Sequence, residues 1–262
     1  MTGHHVRHYV LTRAVYDPAH WTGSAAGARL EVFEASTVAS VAAQTIPADV
    51  WIIAQHADDP LATIRQDIVT GALKGTGTTL TTLTTSDHAG TRAQAADDAY
   101  RLPWTATIIT LEGADNGGGR RLTTRLDDDD AFTPDAFGRL QHAARTVHDR
   151  RALIFPIGYR LHAGRITRVR HESNAMSTLH TPPGDTANVY DYAHRRIAQS
   201  VPVTLLDDNP AWLWVRHDNT LSGWKAARDL VGPKLRALFP VDWDTLGVTP
   251  TGDPIGGGER FR

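Results

Sequence analysis

Arg121-Leu-Thr-Thr-Arg-Leu-Asp-Asp-Asp-Asp-Ala-Phe-Thr-Pro134 is the stretch on which the reading of this chain turns. Residues 121–126 have the composition of a strand, and they run straight into four consecutive carboxylates. Thr133 then reads as a helix cap, with Pro134 at the first helical position. Phe137, Leu140, Ala144 and Val147 follow as the buried stripe of that helix. Four adjacent carboxylates repel one another, and an oxygen-seeking cation relieves the conflict. Mg²⁺ and Mn²⁺ suit such a site because they take carboxylate, water and phosphate oxygens with few protein ligands. At the carboxyl end of a parallel strand these side chains face the crevice in which open α/β sheets bind ligands. A cation there can neutralise a diphosphate and its charge as a leaving group. The competing reading is a solvated acidic surface at a helix N-terminus, which the helix dipole favours.

Upstream, the chain alternates between the two periodicities. Residues 8–12 and 50–54 are apolar runs of strand length, the second as continuous as a parallel strand covered on both faces requires. Residues 29–43 and 61–73 repeat apolar positions at helical spacing (Leu30, Phe33, Thr37, Val41; Leu61, Ile64, Ile68, Leu73). The threonine-rich residues 75–87 read as a strand, 93–100 as a short helix, 105–111 as a strand and 113–119 as a flexible connection. This order predicts an α/β fold with a mostly parallel central sheet flanked by helices. Downstream, strands are expected at 152–156, 165–170, 201–206 and 211–216. A helix over 224–239 is expected to break near Gly232-Pro233. No repeat or linker divides the chain, so one catalytic domain over 1–246 is expected, followed by a flexible tail over 247–262. Its halves, 1–130 and 131–246, meet at the acidic run.

Bulk composition narrows the classes. The 262 residues are 41% hydrophobic and 21% charged, which fits a globular chain with a core rather than long disorder. Lys+Arg number 27 against 29 Asp+Glu, and this balance argues against a generic nucleic-acid binder. With no cysteine, zinc–thiolate sites, disulfides and cysteine nucleophiles are excluded. That is compatible with a reducing cytoplasm, which is the expected location. The N-terminus lacks the layout of a signal peptide. No run approaches the roughly 18 apolar residues of a membrane span, so any membrane contact would be peripheral.

Thr124-Arg-Leu-Asp-Asp-Asp-Asp-Ala-Phe132 resembles the "TRLD-x-DDA" segment of the putative rhamnosyltransferase family, whose members look like GT-A glycosyltransferases. Other pieces agree in order: Leu11-Thr-Arg13, Trp21 ahead of Arg29-Leu-Glu-Val-Phe-Glu34, and Ser40-Val-Ala-Ala-Gln-Thr45. Asn174-Ala-Met-Ser177 and Trp212-Leu-Trp-Val-Arg-His-Asp-Asn219 resemble the family's later "N-x-x-S" and "W-x-x-V-x-H-x-N" segments. The resemblance spans roughly residues 8–225. Ala14-Val-Tyr16 departs from the Phe-Asn that such enzymes often carry, and Asp128 occupies a variable position. The resemblance implies a GT-A-like fold and a metal-dependent sugar transfer from a nucleoside-diphosphate donor to a carbohydrate or other hydroxyl acceptor. Asp127 and Asp129 would form the Asp-x-Asp pair. Asp127 would meet ribose or metal-bound water, Asp129 the Mn²⁺ or Mg²⁺, and Asp130 would share or support it. His217 matches the late histidine that completes the cation's shell or touches the diphosphate. Thr12 and Arg13 would lie at the nucleotide.

Three arginines, Arg13, Arg29 and Arg125, are candidates for charge-assisted contacts with diphosphate. An inverting transfer needs a carboxylate to take the acceptor's proton. Glu172, Asp207, Asp208 and Asp218 lie in the right half, and Asp218 beside His217 is the choice. Trp212 and Trp214 share a strand face, where core packing outweighs a sugar platform. Two other classes use the same features. A metal-dependent phosphohydrolase would want a second early acidic cluster, for which Asp58-Asp59 is the candidate. A non-catalytic carbohydrate-binding domain would keep the fold without nucleotide affinity.

Overall fold

The computed structural model describes residues 6–14, 24–85, 93–114, 119–162, 165–216, 233–248 and 259–260. The first strand, β1 (Arg7–Arg13), lies inside a seven-stranded sheet. Its neighbours are β2 (Val50–His56) on one side and β4 (Arg121–Arg125) on the other, both parallel to it. β3 (Thr79–Thr85) pairs parallel with β2 at the edge, which bears out the strand reading of the threonine-rich segment. Beyond β4, β9 (Thr178–Thr181) is antiparallel to β4 and to β6 (Arg151–Ile154), and β10 (Val203–Leu205) pairs parallel with β6. The order β10-β6-β9-β4-β1-β2-β3 gives four parallel pairings and two antiparallel ones.

Alternation along the central strands explains their unbroken hydrophobicity. Val10, Trp51 and Ile53 enter one core; Tyr9, Leu11, Val50, Ile52 and Ala54 enter another on the opposite face. The first core is roofed by α1 (Ser24–Phe33), α3 (Ala62–Ala72) and α5 (Ala136–Ala144), which contribute Phe33, Val69, Phe137 and Leu140. A π-helical stretch, Glu34–Val38, joins α1 to α2 (Ala39–Ala42). The opposite core is roofed by α4 (Ala93–Ala114) through Trp104 and Ile108. Residues 105–111 are therefore helix, not the expected strand. Trp104, Ile108 and Leu111 recur at helical spacing toward the sheet, and that burial outweighs the local threonine and isoleucine content.

A second sheet, β12-β8-β7-β11-β5, is formed by β5 (Ala131–Phe132), β7 (Ile157–His162), β8 (Arg165–Arg170), β11 (Trp212–Arg216) and the two residues of β12 (Glu259–Arg260). It packs against Leu235, Phe239, Trp243 and Val248, around α6 (Pro233–Leu238). β11 pairs with β5 in the register Trp212↔Phe132, immediately after the acidic run. Trp212 is fully buried and Trp214 packs on the same core, so both serve packing. Thr133 does not cap the following helix. Asp135 occupies that position, and Thr133 instead donates its hydroxyl to Asp135 Oδ1 at 2.6 Å, the helix starting two residues later than expected, after β5.

Candidate functional site

Connections from β1 lead out to β2 and β3, while β4 lies on its other side. The carboxyl ends of β1 and β4 therefore flank the point where strand order reverses, the place where open α/β sheets form a crevice. Arg13 ends β1, Arg125 ends β4 and the acidic run follows directly. The backbone N–H of Leu126 is still tied to Leu11 O at 3.1 Å.

The four aspartates diverge. Asp127 receives two hydrogen bonds from Arg125, Nε to Oδ1 at 3.0 Å and Nη2 to Oδ2 at 3.2 Å. Burial would raise its pKa, but the guanidiniums of Arg125 and Arg13, with His194 adding, hold it down at about 2. Asp128 turns to α1, where Arg29 grips both its oxygens, with Nε to Oδ2 at 2.8 Å. Burial pushes the Asp128 carboxyl up and Arg29 pulls it back. Asp129 is buried between them in sequence. Asp130 is buried too. Its Oδ1 accepts the Val215 N–H at 3.1 Å, whereas its Oδ2 has no hydrogen-bond partner. Burial lifts Asp130 well above the usual carboxylate range, and Asp129 and Asp127 lift it further against the Val215 hydrogen bond.

The run is held by the helix that the Ser40…Gln44-Thr45 segment closes. Thr37, within the π-helical stretch, donates to Asp130 O at 2.8 Å and to Asp127 O at 3.2 Å. Gln44 donates to Ser40 O and Thr133 O and accepts the Phe137 N–H, and Thr45 N–H donates to Pro134 O. A single π turn at a functional site is a common device for re-aiming one helical side chain, here Thr37. The early motif thus serves as a clamp on the acidic loop.

The other expected residues fall in distinct places. Thr12 is fully buried and its hydroxyl accepts the Trp51 indole N–H at 2.9 Å, so it faces the core between β1 and β2. Arg29 is engaged with Asp128, and Arg13 and Arg125 both act on Asp127. Asn174 and Ser177 tie a loop: the Asn174 amide donates to Phe155 O and His171 O, and Ser177 donates to Asn174 O. Among the base candidates, Asp207 pairs with Arg139, and Asp208 and Glu172 pair with Arg170. Asp59 is sealed to Arg65, so the early acidic pair offers no second metal cluster. His217 and Asp218 lie outside the described residues. Among the described residues, no three acidic or imidazole side chains gather as an enclosed ion site. The unpartnered Asp130 oxygen beside Asp129 nevertheless fits a hard cation, which draws its remaining ligands from water and phosphate.

One feature escaped the sequence reading. Tyr190, in a 3₁₀ turn at Val189–Asp191, slides its ring under the Arg125 guanidinium at 4.9 Å and stacks on Trp104 with centroids 5.5 Å apart. No local signal marks Tyr190, since the contact spans 65 residues.

The family model described as "Putative rhamnosyl transferase" matches residues 12–229. No curated protein matches the chain. Among solved structures, a putative glucose-1-phosphate thymidylyltransferase from Bacillus anthracis, in complex with a sucrose, is 11% identical with a TM-score of 0.35. It covers 79% of this chain and 88% of its own. The inositol-1-phosphate CTP transferase from T. maritima is 7% identical with a TM-score of 0.39, over 93% of this chain and 96% of its own. Likenesses this loose carry nothing about the site.

Proposed function

We propose that this chain, which belongs to the putative rhamnosyl transferase family, is a divalent-metal-dependent glycosyltransferase of GT-A type. In this reading it moves a sugar from a nucleoside diphosphate to a hydroxyl acceptor. One observation carries the reading: a buried carboxylate, Asp130, keeps an unpartnered oxygen next to Asp129 where strand order reverses. A buried carboxylate in that state holds either a proton or a cation. Asp129 and Asp130 would hold Mn²⁺ or Mg²⁺, with His217 completing the set, and the bound ion would offset the charge of the departing diphosphate.

The chain's own residues supply the remainder. Arg125 keeps Asp127 ionised and fixes its orientation, so that its outer edge can accept from a ribose hydroxyl. Thr37 and Gln44 hold the loop backbone and limit the reorganisation needed on binding. Asp218 is assigned as the base that takes the acceptor's proton. The halves 1–130 and 131–246 would serve donor and acceptor, in the cytoplasm. Rhamnose as the sugar rests on the family's description alone.

A thermal-shift screen of UDP, GDP and dTDP with Mn²⁺ tests the reading. Ligand at a hundred times its Kd stabilises by about 2.7 kcal/mol, on the order of 5–10 °C for a chain of this size. Asp129→Ala and Asp130→Asn should abolish that shift while the circular dichroism stays native. An equal shift in these variants removes the metal site.

A further inference from the structure

Among the described residues, the seven-stranded sheet ends on β10 and β3, and the second sheet on β12 and β5. Sheets ordinarily guard such edges with shortness, charge or proline, because an open row of N–H and C=O groups is a template for another strand. Three of these edges are guarded. β10 is three residues long and lies between Pro202 and Asp207-Asp208; β5 is two residues long and precedes Pro134; β12 is the charged pair Glu259-Arg260. β3 is the exception. Its seven residues, Thr79-Leu-Thr-Thr-Leu-Thr-Thr85, hold no charge and no proline, and their register with β2 runs without a bulge.

That register decides which backbone groups stay open. The Thr79 N–H donates to Asp49 O, and Thr85 O accepts the Ala57 N–H, so residues 79, 81, 83 and 85 turn their backbone groups to β2. The N–H and C=O of Leu80, Thr82 and Thr84 therefore point out of the sheet, and among the described residues no hydrogen bond reaches them. Side chains leave the row uncovered. Leu80 packs on the core under α3 and Leu83 on the core under α4, while Thr79 and Thr84 are exposed. α4 brings no charge to this edge either: it has none between Arg101 and Glu112, and those two turn to Asp191 and to Arg121 of β4.

The open row is symmetric about Thr82. A two-fold axis through that residue sets Thr82 against Thr82 and Leu80 against Thr84, and each facing pair exchanges both its N–H···O bonds in an antiparallel ladder. A second copy of this chain thus meets donor with acceptor at every step, in the commonest symmetry of oligomers. Threonine and leucine side chains, without charge, give a different protein nothing to select. We propose that β3 is a dimer seam, at which two copies of this chain join antiparallel through Leu80, Thr82 and Thr84 into one continuous sheet. Antiparallel joining turns the carboxyl ends of the two sheets in opposite directions, so each copy keeps its own acidic run. The seam is independent of the metal reading.

Sedimentation equilibrium of wild type, Thr82→Lys, Thr82→Pro and Leu205→Lys tests the seam. Wild type should show twice the mass of one chain, and Leu205→Lys, on the guarded edge β10, should match it. Thr82→Lys sets two ammonium groups face to face at the axis, and Thr82→Pro removes an outward N–H while sparing the bonds to β2. Both should halve the mass and keep a native circular dichroism spectrum. A measurement on wild type covers the case of a variant that misfolds. Its Leu80, Thr82 and Thr84 amides should exchange with deuterium on the order of a hundredfold more slowly than in an unstructured peptide. Free exchange at these amides, or dimers that persist in both folded Thr82 variants, overturns the seam. A monomeric wild type overturns it as well, and protected amides in that monomer would assign the edge to another segment of the chain.

Discussion

Removing Arg29 isolates one electrostatic commitment of the site. The Asp128 side chain is 4% exposed and, among the described residues, pairs with Arg29, which grips both its oxygens from α1. Arg29→Ala strands that carboxylate beside Asp129, whose charge already works against it. Breaking a buried pair by deleting one partner costs about 3–5 kcal/mol, because desolvation is no longer offset. For a chain of this length that is a fall in melting temperature of roughly 10 °C. Replacing both partners, as in Arg29→Met with Asp128→Leu, removes the uncompensated charge and should recover most of the loss. Urea denaturation of wild type, both single variants and the double variant closes the cycle. Mn²⁺-dependent nucleotide affinity, measured on the double variant, should survive, since the pair acts as scaffold. The reasoning fails if Arg29→Ala lies within about 1 kcal/mol of wild type, the range of an exposed ion pair. It fails equally if the double variant is no more stable than the single one.

Two further outcomes follow from packing and titration. A Cβ on Gly158 would sit 2.0 Å from Trp212 Cδ2, and that indole is fully buried and donates to Phe155 O at 2.9 Å. Gly158→Ala should destabilise by about 3 kcal/mol or more, read as a lower urea midpoint or loss of soluble protein. His8 is fully buried, with Nε2 2.8 Å from Thr124 Oγ1, and burial lowers its pKa to about 3. A depressed histidine binds its proton in the unfolded chain first, so its stabilising share is complete above the unfolded value of 6.5 and is lost as pH falls toward 3. Between pH 7 and 5 the stability advantage of wild type over His8→Asn should shrink by about 2 kcal/mol. A constant difference across that range would contradict the buried neutral ring.

Much of the fold was legible because period and burial agree along the central strands. The run Val50–Ala54 is apolar throughout because both faces of β2 are covered, and that needs no tertiary knowledge. The same local logic failed at residues 105–111. Threonine and isoleucine favour a strand there, but Trp104 and Ile108 gain more by burying together on a helix face. β7 and β9 also went unread. β9 is short and buried, and its strand character comes from inserting antiparallel between β4 and β6, partners distant in sequence.

For the site, the chain itself determined that four carboxylates end a strand and precede a helix. It also placed Arg13 and Arg125 at the ends of strands, without showing that those strands are neighbours. Composition and order suffice for that, because side-chain charge and strand period are local properties. Only the tertiary structure divided the four. Arg29, 99 residues before Asp128 in the chain, claims one aspartate, while Arg125 holds Asp127 and the Val215 N–H takes one oxygen of Asp130. Which carboxylate keeps an open oxygen depends on where other segments deliver their donors, and identical residues in a row carry no local mark of that difference.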